Sequence, residues 1–129
     1  MAEILLDSDV IIAWLRGYEP YVELIPELLD RGAALTWSPV SVAEIFAGAR
    51  KTEERQIENL FLIFDVYPIS SEVGRRAGKY LNLFGKSHGV ELADALIAAS
   101  ASMNHIPLWT LNKKHYPMKG IVFFEPSNP

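Results

Sequence analysis

Asp7, Glu44, Asp94 and Asn112 are the residues of this chain whose types and placement could do chemistry together. Three carboxylates and an amide in one small cleft repel one another unless a cation lies among them. Hard oxygen donors suit magnesium or manganese, which keep several waters and bind through a few carboxylates plus substrate phosphates. An ion held there lowers the pKa of a bound water, orients it and offsets charge developing on a phosphoryl group. Phosphodiester hydrolysis is the natural reaction of such a site. No Ser, Cys or His nucleophile is needed, and Cys is absent altogether.

The elements that must position these groups follow from hydrophobic patterning. From Leu92 to Ala101 only Asp94 is charged and only Ser100 is otherwise polar, with no Gly or Pro to interrupt the run. This pattern predicts a buried helix within Glu91–Ala101. Asp94 shares its side with Ile97, Ala98 and Ala101. A lone carboxylate there calls for a charge partner, a metal or an unusual pKa; the simpler alternative is a first-turn acid meeting the helix dipole.

Earlier, Ile4-Leu5-Leu6 reads as a strand ending at Asp7-Ser8-Asp9, with a helix from Val10 to Gly17 capped by Asp7 or Ser8. Tyr21–Leu29 is predicted helical with a break or kink at Pro26. Ala33–Val40 is the second strand, and Ser41 starts a helix that includes Glu44. Thr52–Phe64 patterns as an amphipathic helix, Val66–Ile69 as a short third strand, and Ser71 to about Phe84 as a helix before a flexible break at Gly85–Gly89. Ile106–Leu111 and Ile121–Phe124 are the fourth and fifth strands, and only the tail Glu125–Pro129 reads as irregular.

Strands alternating with helices imply an α/β fold: a parallel sheet of about five strands flanked by helices, in a single domain over residues 1–129. Ligands of such sheets bind beyond the carboxyl ends of the strands. Asp7 follows the first strand, Glu44 opens the helix after the second, Asp94 lies in the helix leading to the fourth, and Asn112 follows the fourth. All four therefore converge on one sheet edge.

Each also has a purely structural reading. Asp7 is a good helix N-cap, and Ser41-Val-Ala-Glu44 matches a capping box. Asp9 reads as a supporting partner, Glu91 as a solvated cap and Asn112 as a turn residue. His88 and His115 read as surface histidines, since no second His stands at metal-ligand spacing.

The 129 residues are 50% hydrophobic and 22% charged, an ordinary globular composition. The formal charge of −4 argues against nucleic-acid binding by bulk charge, but a bound cation would invert the local field. MAEILLDSD has no basic segment before its apolar run, so it does not read as a signal peptide. Runs such as Val10–Leu15 fall far short of the roughly 20 residues a membrane helix needs. A soluble, cytoplasmic protein is expected.

Ile4-Leu5-Leu6-Asp7-Ser8-Asp9-Val10-Ile11-Ile12, Ser41-Val42-Ala43-Glu44-Ile45, Leu92-Ala93-Asp94-Ala95-Leu96-Ile97-Ala98-Ala99 and Trp109-Thr110-Leu111-Asn112-Lys113-Lys114-His115-Tyr116 occur in that order. Together they resemble the PIN domain, specifically the VapC-type toxins of toxin–antitoxin pairs. The resemblance implies a PIN-like three-layer fold and a magnesium- or manganese-dependent endoribonuclease. The family's three acids fall on Asp7, Glu44 and Asp94, and its fourth acidic position on Asn112, where an amide weakens the case for a second metal. A VapB-type antitoxin inserted in the groove, gripped by Tyr21–Leu29 and Thr52–Phe64, a toxin homodimer and an RNA substrate are implied too. Arg50, Lys51, Lys113 and Lys114 are candidates for RNA phosphate contacts. The alternatives are a degenerate PIN domain that only binds a partner, a receiver domain phosphorylated on Asp65, and a phosphatase of haloacid-dehalogenase type using Asp7-Ser8-Asp9.

Overall fold

The apolar triplet Ile4-Leu5-Leu6 lies in the central strand, β1 (Glu3–Leu6), of a parallel sheet. The structure is a computed structural model that describes residues 2–126; residues 127–129 of the expected tail lie outside that range. Beside β1 runs β2 (Ala34–Trp37), with β3 (Asp65–Val66) outside it, and β4 (Leu108–Trp109) lies on the other side. All pairings are parallel, in the order β3-β2-β1-β4, with Leu5 opposite both Thr36 and Leu108.

Successive side chains of a strand face opposite ways, so β1 feeds two cores. Ile4 and Leu6 pack with α1 (Ser8–Leu15), α2 (Tyr21–Asp30), α3 (Pro39–Ala47) and α4 (Glu54–Glu58) through Val10, Ile25, Ile45 and Ile57. Leu5 packs on the other face with α5 (Ser71–His88) and α6 (Leu92–Asn104) through Val73, Ala77, Ala95 and Ala98. Burial on both faces explains why the strand has no polar residue between Ile4 and Leu6. The small residues Ala95, Ala98 and Ala99 are fully buried, so α6 is the enclosed helix its composition predicts.

The chain steps from β1 outward to β2 and β3, then returns to place β4 on the opposite side of β1. The sheet's order therefore reverses between β1 and β4. A crevice opens there beyond the carboxyl ends of the strands.

Several boundaries differ from expectation. Among the described residues the sheet has four strands, not about five: Ile121–Phe124 contributes a single parallel bridge, Phe123 opposite Leu108. The third strand is Asp65–Val66, and the fourth is only Leu108–Trp109. α3 starts at Pro39 rather than Ser41. Ser38 is its N-cap, accepting from the Val40 amide, and Pro39 takes the first turn, where a missing N–H costs nothing. Ser41 is thus inside the helix and Glu44 is free of any capping box. α2 continues through Pro26. Thr52–Phe64 is not one helix: α4 is flanked by 3₁₀ turns at Lys51–Glu53 and Asn59–Leu62. α5 runs to His88 and ends at Gly89, whose φ of 66° suits a left-handed C-cap that only glycine adopts readily. Among the described residues, no helix is long and apolar enough to cross a membrane.

Candidate active site

Asp7, Asp9, Glu44, Asp94 and Asn112 line one cleft of about 350 Å³ at the β1–β4 crevice, together with His115. The structure thus brings together all four residues singled out by sequence, with Asp9, the expected supporting partner, among them.

Asp7 leaves β1 and caps α1. Its Oδ1 accepts the Ser8 amide at 2.8 Å. Its Oδ2 accepts the hydroxyls of Thr110 at 2.9 Å and Tyr116 at 2.7 Å. The capping reading is therefore correct but incomplete, because two hydroxyls delivered by β4 and the turn after it fix the other oxygen. Tyr116 is 3% exposed; burial, then the Asp7 charge and hydrogen bond, push its phenol well above the usual range, so it remains a donor.

Asp9 is more deeply engaged than a supporting role suggests. Its Oδ2 accepts the Leu111 amide at 3.1 Å and the Asn112 side-chain amide at 3.2 Å, with Thr110 Oγ1 at 3.4 Å. Its Oδ1 is buried with no hydrogen-bond partner among the described residues. Burial first, and the Asp7 charge second, push its carboxyl up to about 6, against the pull of the Leu111, Val10 and Asn112 donors. Asn112 accordingly uses its amide to hold Asp9.

Glu44, on the middle turns of α3, reaches the cleft from the second strand's side. The buried Ser8 hydroxyl donates to its Oε1 at 2.7 Å. Asp94, in the first turn of α6, accepts the Glu91 amide at 3.3 Å on Oδ2. His115 Nδ1 lies 3.9 Å from its Oδ1. Burial is the main cause raising the Asp94 carboxyl; the Asp7 and Glu91 charges add to it, and the Glu91 amide and His115 oppose it. The dipole reading of Asp94 is thus also partly right, with one oxygen capping and the other facing His115.

Among the described residues, no three acidic or histidine side chains are grouped tightly enough to hold an ion as they stand. The donor set nevertheless fits a hard divalent cation. Asp7, Asp9, Glu44 and Asp94 all present carboxylate oxygens, one oxygen of Asp9 is buried with no partner among the described residues, and such ions bind through one or two carboxylates while keeping waters. Among the described residues, no Lys or Arg lines the cleft, and Arg50, Lys51, Lys113 and Lys114 all lie outside its lining. Lys113 instead pairs with Glu125 and lies over the Phe123 ring.

Thr110, Tyr116 and Ser8 are site residues that sequence reasoning missed. Thr110 had a signal, a hydroxyl near the end of the predicted fourth strand and two residues before Asn112. Tyr116 had none, because only the fold brings it to Asp7.

A sequence profile of the PIN domain matches residues 4–120. The chain belongs to the PIN-domain family. This PIN domain is 40% identical over 116 residues to a protein named Ribonuclease VapC10 from Mycobacterium tuberculosis, covering 89% of this chain and 86% of that one. It is 29% identical over 117 residues to Ribonuclease VapC1 from Methanocaldococcus jannaschii, covering 89% and 79%. In fold it resembles DNA-bound VapBC from Salmonella typhimurium, with a TM-score of 0.80 at 18% identity over 96% of this chain and 98% of that one. Membership of the PIN family removes the receiver and phosphatase alternatives. Asp65 moreover heads the edge strand β3 and lines a different hollow.

Proposed function

We propose that this PIN domain is an endoribonuclease toxin that hydrolyses phosphodiester bonds in RNA with magnesium or manganese. The observation that carries the reading is the set of carboxylates Asp7, Asp9, Glu44 and Asp94 lining one cleft, each held by a donor from the backbone or another side chain. The names of its relatives support the ribonuclease chemistry.

Asp7, Glu44 and Asp94 are the residues proposed to hold the cation, and Asn112 completes the catalytic set by fixing Asp9. A divalent ion there would activate water and offset charge on the phosphoryl group. The chain's own part is orientation: Thr110 and Tyr116 aim Asp7, Ser8 aims Glu44, and the Glu91 amide fixes one oxygen of Asp94. Partners of this kind set the direction and basicity of metal-binding carboxylates.

Residues 1–129 are proposed to form one such domain, acting in the cytoplasm as a homodimer and restrained by a VapB-type antitoxin. VapBC complexes among the structures it resembles support that partner. A groove between α1, α3 and α4, lined by Ile12, Leu15, Ile45, Ala49 and Ile57, opens beside Glu44 and suits an apolar inhibitory segment.

The test is cleavage of labelled single-stranded RNA by antitoxin-free protein in EDTA, magnesium or manganese, beside Asp94→Asn. Cutting that requires metal and disappears in the variant is expected. Silence in every metal would favour a degenerate, partner-binding PIN domain.

A further inference from the structure

The cleft contains the groups for hydrolysis but, among the described residues, no Lys or Arg to hold a polyanion, and its carboxylates repel phosphate wherever an ion does not intervene. A substrate strand must be retained by charge located elsewhere. In a chain with 16 acids and 12 bases, residues 73–90 carry Arg75, Arg76, Lys79 and Lys86 and not one Asp or Glu. All of that segment up to His88 belongs to α5.

Arg75, Lys79, Asn82 and Lys86 follow one another at spacings of four, three and four, which places them on one stripe of the helix. All four are exposed, as is Arg76 beside them. Among the described residues, none of these bases is paired with a carboxylate, whereas Arg31 and Lys113 are engaged by Glu27 and Glu125. Arg75, Arg76 and Lys79 border one depression of about 220 Å³ with Glu72 and Met103. At 1.5 Å per residue the stripe is about 16 Å long. Its Lys86 end lies three residues before Gly89 and five before Glu91, both of which line the cleft.

We propose that this face of α5 is a track for the sugar-phosphate backbone of single-stranded RNA whose reacting bond lies in the cleft. The inference rests on the ribonuclease reading and names where its substrate is held. Charge complementarity and continuity with the cleft select the occupant. Phosphate contacts of this kind fix the register of a strand without reading its bases, and a basic surface that follows the backbone is the usual way single strands are held.

The test uses Arg75→Gln/Lys79→Gln/Lys86→Gln, with Arg31→Gln/Arg55→Gln/Lys119→Gln as a charge-matched control. All six side chains are exposed, so both variants should fold. Binding of a fluorescein-labelled single-stranded oligoribonucleotide of about 16 nucleotides is followed by anisotropy in EDTA across a salt series. The α5 variant should bind about tenfold or more weakly at low salt, with the slope of log Kd against log salt reduced by about 2, some 0.7 for each phosphate that is no longer neutralised. In magnesium or manganese its KM should rise while kcat holds. Wild-type affinity and slope in the α5 variant, or an equal loss in the control, would overturn the track, as would duplex DNA bound more tightly than the single strand. Weakened binding by the α5 variant, with no cutting by the wild type in any metal, would keep the track and remove the ribonuclease. Normal cutting with unchanged KM would do the reverse.

Discussion

Among the described residues, two hollows each gather three or more acids, and only one of the two is built as a site. The larger, about 560 Å³, lies beside edge strand β3 and is bordered by Glu3, Asp65 and Glu72. The smaller, at the β1–β4 crevice, holds Asp7, Asp9, Glu44, Glu91 and Asp94. In the larger hollow, no described residue donates a hydrogen bond to any of the three carboxylates. In the smaller, Asp7 and Asp9 each accept several, and burial with mutual charge pushes Asp9 up to about 6. Neither volume nor acidity separates the two. Fixed orientation does, because catalysis by charge depends on groups that are already aimed.

The widest separation between the hollows should come from removing one charge in each. Asp94→Asn is expected to slow RNA cleavage roughly 10²–10³-fold, the scale of losing one preorganised electrostatic group. Thermal unfolding should register at most about 1 kcal/mol for the same change. Asp65→Asn should leave cleavage unchanged and stability within about 0.5 kcal/mol, as for an ordinary surface position. Comparable losses in both variants would erase the distinction.

Tyr116→Phe tests orientation without touching charge. Removing the hydroxyl that aims Asp7 should weaken manganese binding roughly 10–100-fold by calorimetric titration, the usual effect of losing a metal ligand's hydrogen-bond partner. The missing hydrogen bond should lower stability by about 1 kcal/mol. Unchanged manganese affinity would show that Asp7 needs no such support.

The smallest effect is on pH dependence. The carboxyls of Asp9 and Asp94 are raised in the folded protein above their ordinary value of 3.8. Each therefore contributes stability that is fully present below that value and lost as pH rises through the folded-state value. In metal-free protein, the melting temperature should fall as pH rises from about 4 to about 6, and Asp9→Asn should flatten that fall. A slope that survives the substitution would place the cause elsewhere.

The sequence made the axis of this site visible. A strand that must be apolar on both faces, ended by Asp7, and a helix with a single charge are strong local patterns. Less visible was everything requiring a second element. Asp9 looked auxiliary because its donors, Leu111 and Asn112, lie at the other end of the chain. Glu44 looked like a capping residue because Ser41 imitates an N-cap, while Ser38-Pro39 was the true start of α3. The fifth strand was over-read because Ile121–Phe124 has strand composition but meets β4 at a single residue pair. Period and composition specify an element; its partners decide how much of it forms.

The hydroxyls that hold Asp7 come from positions 103 and 109 residues further along the chain. During synthesis, the first acid and its helix leave the ribosome long before Thr110 and Tyr116 exist as polypeptide. A chain that stops after Trp109 would carry Asp7, Glu44 and Asp94 but lack both hydroxyls that fix Asp7 Oδ2 and the Leu111 and Asn112 donors to Asp9. Orientation of the first acid is thus among the last features of the fold that the chain can complete.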